Sequence, residues 1–232
     1  MKNRKILNKK AYGSIGHLPN SRLGIGDHKV TDGQAKICLE KERDKNDIII
    51  IQEKLDGSNC CVAKKENKLY FLTRAGYEAT TSPYEQHHFF AYWCRENYNR
   101  FDELLVNDER VCGEWLALAH GTRYKLPHEP FVVFDLMVGD NRSIYLDFIK
   151  RVHSLDFITP RLISYGKPMN HKDVLKRLEP SGHGALDNVE GYVIRVERNN
   201  KVDFLCKWVR QDKMDGCYFK ESCGEDVWNW RP

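Results

Sequence analysis

Hydrophobic and polar positions alternate along the chain in a way that predicts more strand than helix. The most apolar short run, Ile48-Ile49-Ile50-Ile51, has four β-branched residues in succession and reads as a strand buried on both faces. It leads straight into Gln52-Glu53-Lys54-Leu55-Asp56-Gly57-Ser58-Asn59, where Asp-Gly signals a turn. Cys60–Lys65 and Leu69–Thr73 flank Glu66-Asn67-Lys68 as a hairpin, closed by Arg74. Arg110–Leu118 and Phe131–Val138 predict two further strands, and Gly139-Asp140-Asn141 turns into Ser143–Leu146. Val189–Val196 and Lys201–Val209, on either side of Arg198-Asn199-Asn200, predict a second hairpin carrying Glu190 and Lys207 on one sheet. Helices are predicted from Ser82 to about Leu105 and over Asp147–Leu155 and His171–Leu178; the first starts from a Ser-Pro-Tyr-Glu capping box. Its aromatic face, Phe89, Phe90, Tyr92 and Trp93, reads as core, and His87-His88 as a surface pair.

Gly13 to His28 is glycine-rich and polar, and is expected to form neither helix nor strand. As a loop beside a site, it offers amides and Arg22 to phosphates, while His17 and His28 read as loop structure. No Gly-Lys-Ser/Thr follows, so it is not a Walker loop.

Charge adds a second pattern. Two lysines, three carboxylates and several arginines interrupt strand-like apolar runs, where a charge is costly unless paired or used. They are Lys54 and those in Gly113-Glu114-Trp115, Phe134-Asp135-Leu136, Glu190-Gly191-Tyr192-Val193-Ile194-Arg195 and Cys206-Lys207-Trp208-Val209-Arg210. Such a set suits a nucleoside triphosphate and a divalent metal. A lysine amine attacks only when neutral, which burial or a second cation would favour, so Lys54 is the candidate nucleophile.

These segments, in this order, resemble the covalent nucleotidyltransferases, the ATP-dependent ligases and mRNA capping enzymes. Glu-Lys-Leu-Asp-Gly-Ser-Asn and Val-Phe-Asp-Leu are most similar to RNA ligases. The resemblance runs from about Tyr12 to Arg210. It implies an α+β fold, the nucleotidyltransferase (ATP-grasp-like) ligase fold, with antiparallel β-sheets flanking a nucleotide cleft and peripheral helices. It also implies ATP, Mg2+ or Mn2+, and RNA with 5'-phosphate and 3'-OH ends. The implied chemistry is attack of Lys54 on the α-phosphate to form a lysyl-AMP, transfer of AMP to the RNA 5'-phosphate, and sealing. Lys207 would contact the α-phosphate, Glu190 would orient Lys54 or metal-bound water, and Glu114 would bond the ribose hydroxyls. Phe134 would stack on adenine, with Gln52, Glu53, Asn59 and Arg74 completing the nucleotide site. Asp135 is implied beside Glu190 as a metal contact through water. The chain departs from the family at Leu205, where many relatives carry a lysine, and Arg210 is the candidate to compensate.

Composition narrows the rest. The 232 residues, 41% hydrophobic and 30% charged, suit one nucleotidyltransferase domain with a short extension over residues 211–232. About twenty residues follow Arg210, too few for an oligonucleotide-binding barrel or a full C-terminal ligase module. The alternatives are therefore a self-adenylylating domain whose protein partner supplies that module, a DNA ligase or capping guanylyltransferase, and a non-catalytic RNA-end-binding protein. Residues 1–46 carry eleven Lys/Arg against five Asp/Glu, a basic segment suited to polyphosphate or nucleic-acid backbone, or a solvated arm over Lys2 to Lys10. No apolar run has the length of a membrane span, and the N-terminus lacks a signal-peptide core, so a cytoplasmic monomer is expected. The eight cysteines include no Cys-x-x-Cys pair and are expected to be reduced, without structural zinc.

Overall fold

The computed structural model describes residues 4–232; residues 1–3, where the basic segment begins, lie outside them. In chain order the elements are β1 (Gly16–His17), α1 (Asp32–Leu39), β2 (Asp47–Lys54), β3 (Ser58–Lys65), β4 (Lys68–Thr73), α2 (Glu85–Glu96) and α3 (Tyr98–Leu104). There follow β5 (Glu109–Trp115), β6 (Phe131–Val138), β7 (Asn141–Arg142), α4 (Tyr145–His153), β8 (Leu162–Gly166), α5 (His171–Leu178), β9 (Gly191–Arg198), β10 (Lys201–Val209) and α6 (Lys220–Cys223). The strands form two five-stranded sheets, ordered β1-β10-β9-β2-β8 and β4-β3-β5-β6-β7, antiparallel except where β1 pairs with β10.

The isoleucine run lies at the heart of the first sheet, with β2 between β9 and β8. Side chains alternate across a strand, so Ile49 and Ile51 pack with Cys38 of α1 and with Val174 and Leu178 of α5. Ile50 faces the other way, into an aromatic core with Phe90, Trp93, Phe101, Trp115, Phe131 and Phe148. Burial on both faces explains why this run is continuously apolar rather than alternating. Both predicted hairpins form, and their turns place Glu66, Asn67, Asn199 and Asn200 in the left-handed region that two-residue hairpin loops require.

Several boundaries differ from the sequence expectation. The helix expected from Ser82 starts at Glu85 and breaks at Asn97 into α2 and α3. Ser82 makes no capping box; its Oγ accepts from the Tyr84 amide and bonds His87 Nδ1 at 2.6 Å. The segment after Asn141 starts helix α4 at Tyr145, and the strand from Glu109 stops at Trp115, short of Leu118. Helix α1, with a Thr31–Gln34 capping box, and strand β8 were not expected. The glycine-rich loop does contribute a strand: Gly16 and His17 pair with Cys206 and Lys207 of β10. Ala11 and Tyr12 are buried against Cys61, Leu72 and Cys112, with Ile6 and Leu7 packed alongside, so residues 6–12 cover a sheet face rather than forming a solvated arm.

Candidate active site

A cleft of about 1000 Å³ opens where the C-terminal end of β2 meets the start of β3, and both sheets line it. Its cationic wall comes from β2, β9 and β10. Lys54 is the last residue of β2 and lies opposite Gly191, the first residue of β9. That pairing brings the preceding residue, Glu190, onto Lys54, and the two form an ion pair. Gly191 explains the Glu-Gly motif: a Cβ there would sit 1.9 Å from the Trp208 carbonyl oxygen. Lys207, on β10 opposite Val193, lines the same wall, 3.9 Å from Asp27. Burial, and after it the Lys54 ammonium, pull the Lys207 pKa below its ordinary value.

The facing wall is mostly neutral. Glu114 of β5 accepts from the Gly57 amide at 3.0 Å. Its pKa is raised to about 7, first by burial and further by the Glu190 and Asp56 carboxylates, with Lys54 acting in the opposite direction. Asn59 lines the cleft with a buried Oδ1 that has no hydrogen-bond partner in the protein, a carbonyl left for a ligand. Phe134 packs edge-on against Tyr12 with ring centroids 5.1 Å apart. Gln52 and Arg74 complete the expected set, donating to the Pro160 carbonyl at 3.2 Å and the Gly13 carbonyl at 3.5 Å. His120 also borders the cleft; burial, and then Lys213, lower its pKa to about 4, so it is neutral near pH 7. His87 belongs here too, against the expectation of a surface pair: it lines the cleft, and burial lowers its pKa to about 4.

Four expected residues have their charged groups engaged with other protein groups. Glu53 borders the cleft, but its carboxylate turns away from Lys54 and accepts from Arg161, Ser181 and the Gly182 amide. Asp135 is fully buried outside the cleft lining and accepts from Tyr12, Arg142 and Arg195, which leaves no room for a metal's water. Arg210 pairs with Asp212, so it does not take over the role that Leu205 gives up. Arg22 is not itself in the lining, but it pairs at 2.6 Å with Asp215, which is.

Besides His87 and His120, two charged site residues were not expected. Asp56, inside the Lys-x-Asp-Gly motif, was read only as a turn former, yet Gly121 donates to its Oδ2 at 2.7 Å and Tyr124 Oη accepts from its amide. Lys213, from the segment assigned to an extension, donates to Asp56 at 2.8 Å and pairs with Glu190 and Asp215. A lysine in a loop has no periodicity to expose it; the only sequence signal was its position six residues beyond Lys207.

Among the described residues no three His, Cys, Asp or Glu side chains form a ligand set for a metal. Asp56 and Glu190 fit a divalent ion in a different way. They supply hard carboxylate oxygens at the cleft, which suits an ion held by one or two carboxylates together with phosphates and water.

Two sheets flanking this cleft define the class: the nucleotidyltransferase fold of polynucleotide ligases. A sequence profile of RNA ligases matches residues 47–209, more than half of the chain, and the chain belongs to the RNA ligase family. Solved structures share the fold at low identity. A mutant Naegleria gruberi RNA ligase with ATP and Mn is 17% identical with a TM-score of 0.53, over 84% of this chain and 58% of that one. An archaeal ATP-dependent RNA ligase is 15% identical with a TM-score of 0.51, over 86% and 48%. A putative ATP-dependent DNA ligase from Aquifex aeolicus is 16% identical with a TM-score of 0.50, over 86% and 49%. The chain thus spans about half to three-fifths of the length of these proteins. A search of curated proteins gave no match. No helix among the described residues is long and apolar enough to cross a membrane.

Proposed function

We propose that the protein is an ATP-dependent RNA ligase in which Lys54 becomes adenylylated. The observation that carries this reading is the convergence of Lys54, Glu190 and Lys207 on one cleft from three adjacent strands or strand ends. ATP would lie with its base toward Phe134 and its ribose toward the Glu114 and Asn59 wall. Lys54 Nζ loses a proton and attacks the α-phosphorus. A P–N bond forms, the bond to the β-phosphate bridging oxygen breaks, and pyrophosphate leaves. Glu190, already on Lys54, orients the amine and can accept its proton. Lys207 supplies positive charge to the α-phosphate as that charge builds. A divalent ion, held through Asp56 and Glu190, would neutralise phosphate charge and assist the leaving group. AMP then passes to the 5'-phosphate of an RNA end, and a 3'-OH displaces it to seal the strand.

The test is incubation with ATP radiolabelled at the α-phosphate, followed by a denaturing gel. A covalent label that survives denaturation is expected with ATP and not with GTP. Efficient labelling by GTP would shift the reading to capping chemistry, and no label at all would overturn it. Sealing is then assayed on nicked duplexes with RNA or DNA strands, with RNA expected to be joined faster. The Aquifex similarity makes the DNA arm necessary.

A further inference from the structure

We infer that Lys213 is a built-in counter-cation for the Asp56–Glu190 carboxylate pair, which holds the place of a nucleotide-bound divalent ion and yields it when that ion arrives. The inference rests on the ligase reading only for the metal's purpose. Asp56 and Glu190 are 4% exposed each, and two such carboxylates side by side are strongly unfavourable without positive charge. Lys213 supplies it. Its side chain is 8% exposed, and its three ammonium protons have three carboxylate partners: Asp56 at 2.8 Å, Asp215 at 3.2 Å, and Glu190. Glu190 is divided between two lysines, Oε2 toward Lys54 and Oε1 toward Lys213. Lys213 therefore occupies the carboxylate oxygens that a hard cation would use.

The same lysine is placed to leave. Lys54 and Lys207 are fixed on strands, whereas Lys213 lies in the irregular segment between β10 and α6. Its neighbour Met214 is 68% exposed, and the segment is tied through the Arg22–Asp215 pair and a Tyr218 amide to His120 carbonyl bond of 3.2 Å. Gly121 permits its close approach: a Cβ at that position would lie 2.3 Å from the Met214 carbonyl oxygen. Lysine is a mobile point charge rather than a planar fork, so it can exchange with a metal without rebuilding the carboxylates. A free divalent ion must displace Lys213 alone. An ion arriving on a triphosphate brings phosphate ligands with it and offers the displaced ammonium new anionic partners.

The test titrates Mn2+ alone into the nucleotide-free full chain and follows loss of the free-ion electron paramagnetic resonance signal. Lys213→Met is expected to bind Mn2+ about tenfold tighter or more than wild type. Adding Glu190→Gln to that variant should abolish the gain. Lys213→Gln also removes the ammonium but leaves a polar side chain beside Asp56 and Glu190, so it too should tighten Mn2+ binding, by less. It serves as the decisive variant if Lys213→Met fails to fold by circular dichroism. Unchanged Mn2+ affinity in folded Lys213→Met, or in folded Lys213→Gln if the first does not fold, would overturn the inference. No step requires ATP or RNA. A failure of adenylylation therefore counts against the ligase reading alone, and a failure of the Mn2+ shift against Lys213 alone.

Discussion

Two buried charge clusters, one centred on Asp135 and the other on Glu190, are built from similar residues and do opposite work. Asp135 is fully buried; its Oδ2 accepts from Tyr12 at 2.9 Å and Arg142 at 2.7 Å, and its Oδ1 from Arg195 at 2.6 Å. Arg195 also donates to the carbonyls of Ser143 and Phe134, so it clamps β9 of one sheet to β6 of the other. Both arginine forks are committed to this carboxylate, although Tyr12 and Arg195 border the cleft. Glu190 instead meets two lysines at the edge of an open cleft. Ammonium groups are point charges whose partners can be exchanged. The contrast teaches that an acid embedded in an apolar strand marks a site only when its cations are free to serve another anion. Arginine forks are stabilising clamps; lysines facing a cavity are tools.

The largest expected effect separates the clusters outright. Lys54→Ala should abolish covalent labelling while the melting temperature stays near wild type, because Lys213 still accompanies Glu190. A Lys54→Ala protein that still takes label from ATP would remove Lys54 as nucleophile. Asp135→Asn should do the reverse and leave buried Arg195 and half-buried Arg142 without their anion. Breaking such a pair typically costs about 3–5 kcal/mol, readable as a lower urea midpoint at unchanged slope. If instead Asp135→Asn kept full stability and lost only activity, the division between clamp and tool would collapse.

That division was beyond the sequence. Both acids lie in strand-like apolar runs, and the strand signal for Phe131–Val138 was correct to the residue. What a strand pattern cannot give is which cation from a distant strand reaches the acid, since Arg195 and Tyr12 lie 60 and 123 positions away in the chain. The hairpins, the buried isoleucine strand, and Lys54 with Glu190 and Lys207 were legible, because strand alternation and turn chemistry are local. Alternation also bears on Glu53, which borders the cleft but turns its carboxylate to Arg161, away from Lys54. Helix α1 escaped notice because only Ala35 and Cys38 of its eight residues are buried, too faint an apolar stripe to stand out.

Lys207→Met sharpens the comparison within the site. If Lys207 merely packed its stem on β10, methionine would preserve most of the activity. As a cation at the α-phosphate, it should be worth about 10²–10³ in adenylylation rate, measured in a single turnover. The pH profile gives an independent readout. Burial and, after it, the Lys54 ammonium lower the Lys207 pKa, so the two cations feel each other across the cleft. Removing one ammonium should let the other hold its proton longer, so the rate should reach its plateau at higher pH. Lys207→Arg should recover part of the rate and restore the profile. A wild-type rate and profile in Lys207→Met would refute the pairing of these lysines across one site.

The smallest expected effect concerns Glu114, the acid that belongs to neither cluster. It has no cation bound to it, only the Gly57 amide, and its pKa of about 7 lies above the ordinary glutamate value. A carboxyl with a raised folded-state pKa contributes most to stability when protonated, below its unfolded-state pKa. That contribution declines as pH rises and is lost once pH passes through about 7. Wild type should therefore lose melting temperature between about pH 5 and about pH 8 by more than Glu114→Gln, whose amide does not titrate. Lys54→Ala should steepen the wild-type decline, because Lys54 is the charge that favours the Glu114 carboxylate. The Asp135 cluster offers no such dependence to confuse the reading, since Glu114→Gln leaves it intact. Parallel pH profiles for wild type and Glu114→Gln would mean that Glu114 is already ionised well below pH 7, with its charge supported from the Lys54 side of the cleft.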